Sequence, residues 1–239
     1  MTYPTDPFEQ LHYNMVRAHN TFKLGYENIT KKLDQEKESI ENDLPNFLGY
    51  CQAWATSIIV HHDSEEEIVF PFLNEKMDFA SEKEAHEIIH KGISDLGTAL
   101  LEAKADPSKF SAQKIKQQIE QLQGPLYQHL DAEVKHIKSS ELKQAGFGDA
   151  ELKDLNHRLD KYAQSHGDPF VLVPYMRSHT PPEFKDHWPP MPWVLHKLVI
   201  PYVLTRRHAA YVDFRLIWES STLTSVWLRY WKYSPYSVS

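Results

Sequence analysis

The chain has 239 residues, 41% of them apolar, with 26 basic and 33 acidic side chains and a formal charge of −7. That length and apolar content suit one large domain, or one domain with a substantial extension. The acidic balance argues against a nucleic-acid surface and gives no attraction to an anionic membrane. The one cysteine, Cys51, excludes an internal disulfide framework and suits a reducing compartment. Met1 to Gln10 lacks the basic and apolar regions of a secretory signal. The longest apolar patch, Trp193 to Leu204, is broken by His196, Lys197 and Pro201 and is too short to span a bilayer. A cytoplasmic protein is expected, and its fourteen histidines direct attention to metal.

Thr5-Asp6-Pro7 reads as a helix start, with a capping side chain and a proline in the first turn. Phe8, Leu11, Met15, Phe22, Tyr26, Ile29 and Leu33 then keep the period of one helix face, with His19 on it. Asp34 to Asp43 predicts a polar turn or helix end, and Leu44-Pro45 opens helix two. There Phe47, Cys51, Trp54 and Ile58 lead to His61 and Glu65, and the stripe resumes with Ile68 and Phe72. Phe70-Pro71 should end or kink that helix. Ser81-x-x-Glu84 predicts a capping box for helix three, whose inner face is His86, Ile89, His90, Ile93, Leu96 and Leu100. Asp106-Pro107-Ser108 closes it. Helix four starts near Ser111 and carries Ile115, Ile119, Leu122, Leu126, His129, Glu133 and Ile137, with a kink expected at Gly124-Pro125.

Four segments of about 22 to 26 residues, each on the order of 33 to 39 Å long, predict an all-α fold, an antiparallel four-helix bundle. The bundle is assigned to residues 1–145 and a C-terminal extension to 146–239. A fifth helix on Leu152, Leu155, Leu159 and Tyr162 follows the Gly146-Phe147-Gly148-Asp149 turn. Beyond it prolines crowd residues 169–201. Trp188, Trp193, Tyr202, Tyr211, Phe214, Trp218, Trp227, Tyr230 and Trp231 make the tail aromatic, so it is expected to pack on the bundle.

The polar residues on inward faces form a set: His19, His61 with Glu65, His86 with His90, and His129 with Glu133. Each helix contributes, and the three pairs are spaced i, i+4, so both members lie on one face. A buried imidazole and an ionised carboxylate need a partner, and a metal ion suits both. Five imidazoles and two carboxylates can hold two metal ions, with the carboxylates bridging. His62 with Glu66 is the register alternative to His61 with Glu65; otherwise these two orient a ligand.

Those residues resemble the hemerythrin-like, cation-binding four-helix bundle over roughly residues 7–142. The matching elements are His19, His61-x-x-x-Glu65-Glu66 followed by Phe70-Pro71, His86-x-x-x-His90 and His129-Leu130-x-x-Glu133. Phe170-Val171-Leu172-Val173-Pro174-Tyr175 and Arg206-Arg207-His208 resemble the extension of fungal-type members. The resemblance implies a non-haem site of two iron ions: His86, His90 and His129 on one, His19 and His61 on the other, with Glu65 and Glu133 bridging. The iron with two histidines keeps an open position for dioxygen. Oxygen-carrying hemerythrins place an aspartate five residues after the last histidine, where this chain has Val134 and carries Glu133 one position earlier.

Two rival patterns overlap the set. His86-Glu87-Ile88-Ile89-His90 matches the zinc-protease pattern His-Glu-x-x-His, but the extended form fails at Leu96. A ferritin-like site would use Glu87-x-x-His90 and Glu133-x-x-His136, but the nearest helix-one glutamate, Glu27, lies eight residues from His19, about 12 Å along the axis. His136, His187, His196 and His208 show no helical partner pattern. Two functions remain: a di-iron oxidase or oxygenase acting on a small organic substrate, or a non-catalytic protein that binds or senses iron or dioxygen. The aromatic tail, able to wall a substrate cavity, leans toward the enzyme; a homo-oligomer is compatible with either.

Overall fold

The computed structural model describes residues 2–35 and 37–189, and its regular elements are all helical. Asp6 opens α1 (Pro7–Gln35), its carboxylate accepting the Phe8 amide at 2.9 Å. The predicted polar turn contains a short helix, α2 (Lys37–Asn42). Next come α3 (Leu44–Ser64), a π-helical turn over Glu65–Val69, and α4 (Phe70–Leu73). The helix α5 (Ala80–Ala105) begins one residue before Ser81, so the predicted capping box does not form. The Phe79 and Ala80 amides are instead received by Asn74 Oδ1 and Asp78 Oδ1, and the Ser81 hydroxyl donates to Glu82. At α6 (Ala112–His136) Ser111 is the cap, accepting the Lys114 amide, and the helix continues through Pro125. Three shorter helices follow: α7 (Ser139–Gln144), α8 (Asp149–Ser165) and α9 (Pro169–Ser178). Gly146, at φ 83°, makes the left-handed turn into α8 that disfavours a side chain.

The side-chain pairings fix the topology. His19 meets His61 and Asn28 meets Tyr50, so α1 and α3 run in opposite directions. His62 to His90 and Gln52 to Lys104 set α3 against α5, and His86 to His129 and Asp95 to Gln118 set α5 against α6. Lys23 to Asp131 and Asp34 to Lys116 close the ring between α6 and α1. The result is an antiparallel up-down four-helix bundle.

The π turn changes the register of helix two. The Phe70 amide bonds the Glu65 carbonyl, an i→i+5 bond that adds a residue to the turn. Pro71 has no N–H to place on the Glu67 carbonyl, so a regular α turn would lose a bond there in any case. The buried positions after Glu65 are therefore Val69 (1% exposed), Phe70 (3%) and Leu73 (0%). The predicted Ile68 and Phe72 are only half-buried, at the edge of that cluster.

The apolar core is split in two. One cluster joins Phe22, Ile29, Phe47, Trp54, Ile58, Ile89, Leu96, Ile119 and Leu126; the other joins Phe8, Leu11, Met15, Val69, Leu73, Phe79, Ile137 and Leu142. On every long helix the histidines and glutamates of interest fall between the two. They form a polar layer across the bundle, closed by apolar side chains above and below.

The segment after the bundle packs back on it. Leu152 and Leu155 of α8 join the second cluster, and α9 lies on α3 with Tyr175 inserted toward α1. Tyr175 Oη donates to the Thr21 carbonyl at 2.8 Å, and Trp54 Nε1 donates to the Phe22 carbonyl at 2.9 Å. Both side chains pass over Gly25, where an added Cβ would lie 2.2 Å from Tyr175 Oη and 2.4 Å from Trp54 Cδ1. Trp188 is also buried against the first cluster. The expectations for Trp193 to Trp231, including His196 and Arg206-Arg207-His208, lie outside the described residues.

Candidate metal centre

Two groups of candidate ligand atoms share the polar layer. His19, His61, Glu65 and Glu133 form one, and His62, Glu65, His86 and His129 the other; within each, one atom per residue lies within 4.8 Å of the rest. Glu65 belongs to both, with Oε1 2.8 Å from His61 Nε2 and Oε2 3.5 Å from His86 Nε2. Glu133 Oε2 also faces both, 3.3 Å from His19 Nε2 and 3.7 Å from His129 Nε2. Facing imidazoles converge in each group, with His19 and His61 Nε2 atoms 3.0 Å apart and those of His86 and His129 3.1 Å apart.

The outer nitrogens of His19 and His86 are held by groups that set the tautomers. The Leu130 carbonyl can only accept, so His19 donates from Nδ1 (3.0 Å) and turns the Nε2 lone pair into the layer. Glu66 Oε1 does the same for His86 Nδ1 at 3.0 Å. His62 Nδ1 meets His90 Nε2 at 3.1 Å, and its ring stacks on His86 with centroids 3.9 Å apart.

Burial dominates the electrostatics. It depresses His61 to about 4 and His86 and His129 to about 3, and takes His19 and His62 well below the ordinary imidazole range; neighbouring imidazoles depress all but His61 further. It also pushes the Glu65 and Glu133 carboxyls well above their ordinary range. All five histidines are therefore neutral near pH 7, the protonation state a ligand needs. Both oxygens of Glu65, both of Glu133 and Nε2 of His62 are buried and make no hydrogen bond. Unsatisfied buried polar atoms are rare because each costs about 1–3 kcal/mol. Here they converge from two helices onto imidazoles of the other two, with the nitrogen and oxygen donors that a divalent first-row metal takes. The residues fit a pair of metal ions.

Of the seven residues singled out in the sequence, six fall in the two groups. His90 lies outside them, half-buried, with its nitrogen on His62. Glu66 lies behind His86, as an orienting group would. His62 takes a place inside, and the adjacent doublet His61-His62 was the one sign of it in the sequence. The rival patterns do not assemble, since Glu87 and Glu27 are exposed. His136 turns away from the layer to Glu82, 2.7 Å distant, and stacks on Phe79.

A family model, the hemerythrin HHE cation binding domain, matches residues 10–140, a span that holds every residue of both groups. This chain belongs to that family. As a hemerythrin-domain protein it is a cation binder, in keeping with the ligand groups just described. It is also similar to the dimeric xanthone biosynthesis cluster protein R11 of Cryptosporiopsis sp. (strain 8999), with 24% identity over 204 residues, 82% of this chain and 74% of that protein. No solved structure matches the chain. No helix among the described residues is long and apolar enough to cross a membrane.

Proposed function

We propose that this hemerythrin-domain protein holds two iron ions and binds dioxygen at them. His19 and His61 would hold one ion, His86 and His129 the other, and Glu65 and Glu133 would bridge. The observation that carries the reading is the position of Glu65, fully buried, without a hydrogen bond, and with one oxygen turned to each group. A pair of ferrous ions would supply reducing chemistry toward dioxygen, and the protein's part would be to fix the ligands and keep the layer dry. His19, His62, Glu65, His86, His129 and Glu133 are each at most 3% exposed, while the His61 side chain, at 12%, forms the most open edge. That edge suits a diatomic ligand, and it belongs to the group with two imidazoles against three in the other.

A catalytic reading, oxidation of a small organic substrate at the expense of dioxygen, is favoured by the relative's name, which assigns that protein to a biosynthetic cluster. One experiment separates the two. Protein loaded anaerobically with ferrous iron is exposed to oxygen and then purged while its optical spectrum is recorded. A band that rises with oxygen and falls on purging supports dioxygen binding; irreversible oxygen consumption to a ferric product supports catalysis. An iron-loaded protein whose spectrum ignores oxygen contradicts both.

A further inference from the structure

The proposed pair of ions leaves open which residue completes the His86 and His129 group, and the resemblance to the family implies His90. The geometry points to His62 instead: we propose that His62 Nε2 is the third nitrogen of that group and that His90 is a positioning residue behind it. This rests on the two-iron reading above.

Three observations carry it. His62 is 0% exposed and its Nε2 makes no hydrogen bond, while it lies within 4.8 Å of the ligand atoms of Glu65, His86 and His129. His90, one turn beyond His86 on α5, is half-buried and falls outside that limit. Its Nε2 sits 3.1 Å from His62 Nδ1, so it cannot also face the layer with that atom. With His90 Nε2 accepting, His62 carries its proton on Nδ1 and presents the Nε2 lone pair to the layer. The His62 ring lies nearly parallel to His90 (14°) and to His86 (5°), and because an imidazole lone pair lies in the ring plane, ligating one ion together with His86 turns the His62 ring out of that stack.

Local backbone explains how two adjacent histidines serve different groups. Consecutive residues on an α-helix project about 100° apart, so His61 reaches across to His19 on α1 while His62 reaches across to His86 on α5. Glu65, at the start of the π turn, falls between those directions and faces both. Helix two thus supplies three donors, and α5 supplies one donor, His86, and a second histidine, His90, that supports His62 from outside.

The test compares His62→Leu, His62→Gly and His90→Gln by anaerobic ferrous titration, counting iron per chain. With wild type at two, His62→Leu should lose one ion or bind it at least about 100-fold more weakly. His90→Gln, whose amide oxygen can still accept from Nδ1, should keep two ions with affinity weakened by about 10-fold to 100-fold at most, as removal of outer partners does. Millimolar imidazole should restore the second ion to His62→Gly, a rescue that a purely structural histidine would not show. The inference is overturned if His62→Leu keeps both ions at wild-type affinity, if His90→Gln loses an ion, or if imidazole restores none. A wild type that binds no iron overturns the two-iron reading itself, so the two failures are distinguishable.

Discussion

Replacing Glu65 by Met should raise the stability of the metal-free protein and lower that of the iron-loaded one. Glu65 is 1% exposed, both of its oxygens lack a hydrogen bond, and burial pushes its carboxyl well above the ordinary range. A buried polar group in that condition costs about 1–3 kcal/mol. Methionine has a similar length, no such group, and enough flexibility to fill the space. For a chain of this size about 1 kcal/mol moves Tm by roughly 2–4 °C, so Glu65→Met should melt roughly 2–12 °C higher in chelator. Iron reverses the order. At free metal about 100-fold above Kd each ion adds about 2.7 kcal/mol, and two add about 5 kcal/mol that a variant lacking the shared carboxylate largely forfeits. Calorimetry with chelator and with anaerobic ferrous iron reads both. A variant that melts lower than wild type in chelator would refute the reasoning, because Glu65 would then be a structural partner of His61 and His86.

Further outcomes follow from the same contacts. In the metal-free protein His61 titrates near 4 and His86 and His129 near 3, all below 6.5, so the unfolded chain binds more protons and stability is lost as pH falls from about 6.5 toward 3. Glu65 and Glu133 act oppositely, contributing stability that fades as pH rises above 4.5. Urea denaturation in chelator should therefore show a maximum near neutrality, and a steady gain in stability down to pH 4 would contradict it. Glu66→Gln keeps an acceptor for His86 Nδ1 but removes its charge, so iron stoichiometry should stay at two with affinity lower by about tenfold; equilibrium dialysis checks this. Gly25→Ala places a Cβ 2.2 Å from Tyr175 Oη and should destabilise by about 1–3 kcal/mol in chemical denaturation without changing iron content.

The helix faces were legible because one face of a helix is a spacing of three and four, and His19, His86, His129 and Glu133 sit within unbroken runs of it. Their helices are regular through the layer, so the face projected from the sequence is the face in the structure. Helix two was legible only as far as Glu65. Beyond it Ile68-Val69-Phe70-Pro71-Phe72-Leu73 is almost wholly apolar, so the residues show no period from which the extra position of the π turn could be read. The adjacent pair His61-His62 misled for a related reason. A projection assigns one of two neighbours to the core, whereas a position facing two other helices turns both toward the layer. His90 shows the opposite limit: it has the right spacing from His86, but His62 from another helix takes the place beside that ring, a tertiary fact no single-helix period contains.

The decisive measurement is the count of iron bound per chain when the metal-free protein is titrated anaerobically with ferrous iron, alongside Glu65→Met and His61→Ala. Two ions per wild-type chain, with at least one lost in each variant, is the predicted result. No tight iron in the wild type, or two ions retained in both variants, would show that the paired groups around Glu65 are not a metal centre.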